Sequence, residues 1–111
     1  MLELTYKTKK LQRLCEDPGY NKELVKKYGV EVAKKLPKRI KELKAFNTLD
    51  DVPVFPPYRR HKLSGNMKDL FAVNITFQYR LIFKVKGNNI LIEDLSKVKD
   101  IVIMEVSKHY E

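Results

Sequence analysis

Tyr58-Arg59-Arg60-His61-Lys62-Leu63-Ser64-Gly65-Asn66-Met67-Lys68-Asp69-Leu70-Phe71-Ala72-Val73-Asn74-Ile75-Thr76-Phe77-Gln78-Tyr79-Arg80-Leu81-Ile82-Phe83 is the stretch that decides the fold. Its apolar residues alternate as β-strands do, with Ser64-Gly65-Asn66 and Phe77-Gln78 placed to turn the chain. Six basic groups (Arg59, Arg60, His61, Lys62, Lys68 and Arg80) stand there against one acid, Asp69. Successive strand residues point to opposite faces, so strand-borne cations are held in defined positions, whereas those on a long helix sweep. Such an array suits a polyanion, RNA foremost.

Strand-like runs are expected at Arg59–Leu63, Leu70–Thr76, Tyr79–Lys86, Ile90–Leu95 and Asp100–Val106, with Gly87-Asn88-Asn89 as a further turn. In the last run Ile101, Ile103 and Glu105 alternate against Val102, Met104 and Val106. Upstream, Asn47 to Pro57 carries Asp50-Asp51 and three prolines and reads as a connector. Before it Leu24, Val25, Tyr28, Val32, Leu36, Ile40, Leu43 and Phe46 recur at helical spacing. Gly29 loosens that pattern, and Pro37 lacks a backbone donor, so a kink near Leu36 or two helices joined there is expected. The outer face of this region reads as Lys22, Lys26, Lys27, Lys34, Lys35, Lys38, Arg39, Lys41 and Lys44. Such a stripe is ordinarily a solvated surface; docking onto a large RNA or an acidic partner is the other reading.

Leu2 to Tyr6 reads as a short strand, and Lys7 to Asp17 as a helix with Leu11, Leu14 and Cys15 on one face, ended by Pro18-Gly19. The order predicts an α+β fold over residues 1–111 as one domain. An N-terminal strand and two or three helices would pack on a largely antiparallel β-sheet.

The net charge of +9 predicts attraction to nucleic acid or to an acidic protein, the alternative being a merely Lys-rich soluble surface. Residues 1–46 carry +7, residues 59–86 carry +6, and residues 87–111 carry −2, so the helices and first strands hold the basic character. No run approaches the apolar length of a membrane span, and the N-terminus does not read as a signal peptide. The single Cys15 makes no internal disulfide and reads as core, and no Cys/His spacing suits a metal. A cytoplasmic protein with no cofactor and no membrane partner is expected.

Cutting RNA without a metal needs a group to take the 2′-hydroxyl proton, a cation to neutralise the phosphorane, and an acid for the leaving 5′-oxygen. Histidine and lysine can move the protons, and arginine is the fork-shaped phosphate donor. The two histidines are His61, in the basic strand, and His109, near the end of the chain. Arg80 interrupts an apolar strand and must reach either solvent in a cleft or a carboxylate such as Glu93 or Glu105. Lys68 lies in a turn, and Tyr110 could stack on a base or simply pack on the sheet. Arg59, Arg60 and Lys62 are candidate RNA contacts.

The run from His61 to Ile75, followed by Tyr79-Arg80-Leu81-Ile82-Phe83, resembles the RelE/HigB toxins, the killer-protein half of bacterial type II toxin–antitoxin pairs. Lys7-Thr8-Lys9-Lys10-Leu11, the long basic helix and the terminal His109-Tyr110 match that family in order, so the resemblance spans nearly the whole chain. Here Ser64 precedes the motif glycine, and Asp69 replaces a commoner glycine. The resemblance implies a metal-free mRNA endonuclease acting in the ribosomal A site and silenced by a cognate antitoxin with a helix-turn-helix DNA-binding domain. It also implies that Arg80 stabilises the phosphate, that His61 and His109 with Tyr110 serve proton transfer, and that Lys68 or Lys62 supplies a further cation. A non-catalytic RNA- or ribosome-binding module, or a degenerate toxin kept for antitoxin binding, would use the same basic face.

Overall fold

Thr8 sets where helical structure begins: its side chain accepts a hydrogen bond from the Leu11 amide at 3.1 Å, satisfying one of the donors a helix start leaves open. The computed structural model describes residues 1–65, 69–86 and 94–108. In chain order these form strand β1 (Glu3–Tyr6), helices α1 (Lys9–Glu16), α2 (Asn21–Tyr28) and α3 (Val30–Ala45), then strands β2 (His61–Lys62), β3 (Leu70–Asn74), β4 (Tyr79–Val85) and β5 (Asp100–Lys108). Of the expected elements, the turns at residues 66 and 87–89 and most of the Ile90–Leu95 run lie outside the described residues. Leu95 itself begins a 3-10 turn, Leu95–Lys97, rather than ending a strand.

The helical break falls at Gly29, not at Pro37. Gly29 adopts φ 97° and ψ 169°, a conformation open almost only to glycine. Its amide closes α2 on the Val25 carbonyl at 2.8 Å, and its own carbonyl accepts from Ala33 at 3.1 Å to open α3. Pro37 forfeits one backbone bond, yet α3 runs through it. Val32, Leu36, Ile40 and Leu43, on either side of the proline, are buried in the core and anchor both halves.

The sheet order is β1-β5-β4-β3-β2, with β1 parallel to β5 and every other pair antiparallel. One face of the sheet meets the helices through Phe71, Val73, Leu81, Phe83, Val85, Ile101 and Ile103, all in the main core. β5 reaches this arrangement through a bulge. Ile82 pairs with Glu105 but Phe83 pairs with Ile103, leaving Met104 as the extra residue. The expected alternation of Ile101, Ile103 and Glu105 on one face is therefore broken. Glu105 falls opposite Ile82 instead, and Val106 joins Leu81 against the core.

Expected strand Arg59–Leu63 shrinks to two residues because Arg59 takes a left-handed φ of 49° and the Arg60 amide turns back to the Pro53 carbonyl at 3.0 Å. Asp69 is also left-handed, at φ 74°. That conformation explains the motif position where a glycine is commoner, since a short polar side chain tolerates it better than most.

Candidate active site

Cross-strand partners share a face, so the register itself places the side chains of the sheet face turned away from the helices, where Ala72 and Ile82 are fully buried. One transverse row runs His61, Ala72, Ile82, Glu105, and the next runs Asn74, Arg80, Ser107. Lys84 follows two residues beyond Ile82, opposite Val102. His61 and Arg80 thus stand on the same face, two strands and two residues apart. Standard strand spacings put their Cα atoms about 12 Å apart. Two long side chains can close that distance around one phosphodiester.

Arg80 is half-buried, and its Nε is fully shielded and without a hydrogen-bond partner among the described residues. Nor does its guanidinium form an ion pair with any described carboxylate. Glu105, one of the two acids that could have neutralised it, stands opposite Ile82 instead, and Glu93 lies outside the described residues. The two terminal nitrogens of this half-buried guanidinium are not among the shielded atoms and make no described hydrogen bond, so they are the groups that can meet an acceptor from outside.

His61 is exposed, and its Nδ1 lies 2.8 Å from the Arg59 carbonyl oxygen. A carbonyl only accepts, so Nδ1 carries the proton and, in the neutral ring, Nε2 keeps its lone pair free. The left-handed turn at Arg59 presents that carbonyl, so the backbone strain there orients the imidazole.

The remaining candidates separate. Arg59 is exposed, whereas the Arg60 Nε donates to the Val52 carbonyl at 2.8 Å and braces the connector. Burial lowers the Arg60 pKa, against the pull of the Asp50 carboxylate. Lys62 is exposed but pairs with Phe71, so it points to the opposite side of the edge strand from His61. Lys68, His109 and Tyr110 lie outside the described residues. Cys15 is core, as its helical spacing suggests: it is 1% exposed and burial pushes its thiol up to about 12, which leaves it unreactive.

Sequence reasoning missed Arg39. Assigned to the lysine stripe, it is instead 7% exposed. Its Nε donates to the Asn74 carbonyl at 2.9 Å, one terminal nitrogen to Glu42 at 2.7 Å and the other to the Ile75 carbonyl at 3.4 Å, while its guanidinium lies over the Tyr58 ring. It thereby clamps the end of β3 beside Arg80. The signal was present: Arg39 stands seven residues after Val32 and four before Leu43, on the buried stripe itself.

Among the described residues no three His, Cys, Asp or Glu side chains converge on a metal position. An apolar cleft of about 440 Å³ lined by Cys15, Leu24, Pro37 and Ile40 lies among the helices, on the far side of the sheet from Arg80.

The HigB-like toxin family, RelE-like toxins of the type II toxin–antitoxin system HigB, matches residues 4–110. The chain belongs to this family. Solved toxins share its fold at low sequence identity. A metal-bound toxin from Helicobacter pylori aligns over 98% of this chain and 96% of its own, with 19% identity and a TM-score of 0.54. YafQ from E. coli aligns over 98% and 94%, with 16% identity and a TM-score of 0.54. The YoeB–YefM complex from Staphylococcus aureus contributes a chain aligned over 99% of both, with 16% identity and a TM-score of 0.53. No curated protein matches by sequence. The RelE/HigB resemblance read from the motif and the α+β fold expected from element order both hold for this HigB-like toxin. No helix of the described residues is long and apolar enough to cross a membrane.

Proposed function

We propose that this toxin is a ribosome-dependent mRNA endonuclease whose chemistry is centred on Arg80. The observation that carries the reading is the half-buried Arg80, without an ion-pair or Nε hydrogen-bond partner among the described residues, on the same sheet face as an exposed, oriented imidazole. His61 Nε2, held free by the Nδ1 bond to Arg59, takes the 2′-hydroxyl proton. The 2′-oxygen then attacks the adjacent phosphorus, Arg80 neutralises the phosphorane, and the bond to the 5′-oxygen breaks. That oxygen leaves with a proton, giving a 2′,3′-cyclic phosphate and a 5′-hydroxyl. His109 and Tyr110, which follow directly on Lys108, are assigned to that second proton transfer on the family pattern, and Lys68 to charge neutralisation. Arg59 and Lys84 hold flanking phosphates.

The ribosomal A site would present the message in a bent conformation, so isolated RNA is expected to be cut poorly. A cognate antitoxin with its own DNA-binding domain would cover the basic face and silence the toxin, in the manner that YefM accompanies YoeB. The test is induction in a bacterial host, comparing wild type with Arg80→Ala for growth arrest and for primer-extension stops within translated frames. Arrest and in-frame cleavage by the wild type alone are expected. Equal toxicity of the two proteins would remove Arg80 from the mechanism. Intact message under wild-type arrest would leave a non-catalytic, RNA-binding inhibitor.

A further inference from the structure

Phe77 is 85% exposed at the tip of the β3–β4 hairpin, and nothing in folding accounts for it. The turn that carries it is rigid. Amides of Ile75 and Thr76 donate to the Tyr79 carbonyl at 2.9 and 3.1 Å, and Thr76 Oγ accepts from the amides of Gln78 and Tyr79 at 3.2 and 3.1 Å. Arg39 fixes the strand below by holding the Asn74 and Ile75 carbonyls. An aromatic ring is thus presented to solvent on a braced support rather than left on a floppy loop.

Beside the ring lies a cleft of about 290 Å³ whose lining includes Lys35, Arg39, Pro57, Arg59, Asn74 and Phe77 and, among the described residues, contains no acid. Among the described residues Lys35 is engaged by one exposed pair, with Glu31 at 3.2 Å, which a phosphate can displace. The cleft neighbours the site already described: its lining includes Asn74, the register partner of Arg80, and Arg59, whose carbonyl orients His61. On the other side of Phe77 the lining holds Tyr28, Tyr79 and the acid Glu31, so the cations favour one side for an anion.

We propose that Phe77 with Arg59 and Lys35 forms a nucleotide subsite for single-stranded RNA, the base stacking on the Phe77 ring and its phosphate held by the two cations. The inference rests on the RNA-directed reading above and adds where the strand goes once it leaves Arg80. Stacking is tolerant of base identity, because every base has a π-face, so this subsite grips the strand without reading its sequence.

The test uses the full chain and a 2′-O-methyl oligoadenylate, which lacks the nucleophilic hydroxyl and cannot be cut, so binding is read independently of cleavage. Phe77→Ala is expected to weaken binding about ten-fold or more and Phe77→Tyr to restore it. An abasic oligomer of equal length should bind weakly to wild type and be indifferent to Phe77→Ala. Because the ring is exposed, both variants should melt with the wild type. Wild-type affinity of Phe77→Ala for the oligoadenylate would overturn the proposal. So would an equal Phe77 dependence of the abasic oligomer, or of oligoglutamate, which would mark an acidic protein partner instead. Should the toxin leave message intact while Phe77→Ala still loses the oligoadenylate, the nuclease reading fails and the subsite stands.

Discussion

Two arginines with the same letter in the sequence do opposite work, and their surroundings decide which. Arg39 has carbonyl and carboxylate acceptors on all three nitrogens, whereas Arg80 keeps a shielded Nε without an acceptor among the described residues. Arg39→Ala would leave two strand-end carbonyls and Glu42 without their donor, and an expected loss of about 2–4 kcal/mol follows, read from urea unfolding. Arg80→Ala removes no described hydrogen bond, so its unfolding free energy should stay within about 1 kcal/mol of wild type. Its in-frame cleavage should fall by about 10²–10³ as one electrostatic donor to the transition state is lost. The strand position of Arg80 was legible because a cation in an apolar run has few explanations. Arg39 was overlooked despite its place on the buried stripe, because a lysine-rich helix hides one buried cation among many exposed ones. His61 was legible as a candidate, but the strained Arg59 carbonyl that orients it leaves no local signature in sequence.

At the scale of elements, local chemistry was readable and long-range pairing was not. The Thr8 start, the stop at Pro18-Gly19 and the hairpin at Phe77-Gln78 each follow from residues within a few positions of one another. The parallel pairing of β1 with β5 joins Glu3 to Asp100, and nothing local announces it. The Met104 bulge was equally silent, since Ile101, Ile103 and Glu105 have the spacing of one uninterrupted face. Gly29 and Pro37 show how packing overrides propensity: the proline sits where four buried neighbours hold the helix, and the glycine sits where the chain must turn. Gly29→Ala meets no atom within 4 Å, so its cost is conformational alone, an expected loss of about 1–3 kcal/mol. Pro37→Ala restores an amide donor inside α3 and should gain about 1–2 kcal/mol after the unfolded chain's added freedom is subtracted. Thermal melts of the two variants should therefore move in opposite directions, and a destabilising Pro37→Ala would place the critical break at the proline after all.

The whole molecule sets the lysines of α2 apart from the cations of β2 and β4 by the thickness of a sheet, while Lys35 of α3 reaches the cleft beside Phe77. Charge counting alone could not do this: it gives +7 to the helical half and +6 to residues 59–86 and treats them alike. The register resolves them, because Arg80, His61 and Lys84 share the sheet face turned away from the helices while Lys22 and Lys26 lie exposed on α2. A short single strand can follow only one of these surfaces at a time, and each phosphate it loses as a partner makes the dependence of log K on log salt shallower by about 0.7. Lys84→Gln should thus flatten the slope for an uncleavable oligonucleotide by about that amount, whereas Lys22→Gln and Lys26→Gln together should leave it unchanged. Fluorescence anisotropy across a salt series reads all three. If the helical lysines carry the slope instead, the strand runs over α2, Arg80 is not where the backbone passes, and its sheet face loses its claim to the chemistry. The contrast is sharp because the compared side chains are all exposed lysines, alike in charge and reach, and differ only in which side of the sheet carries them.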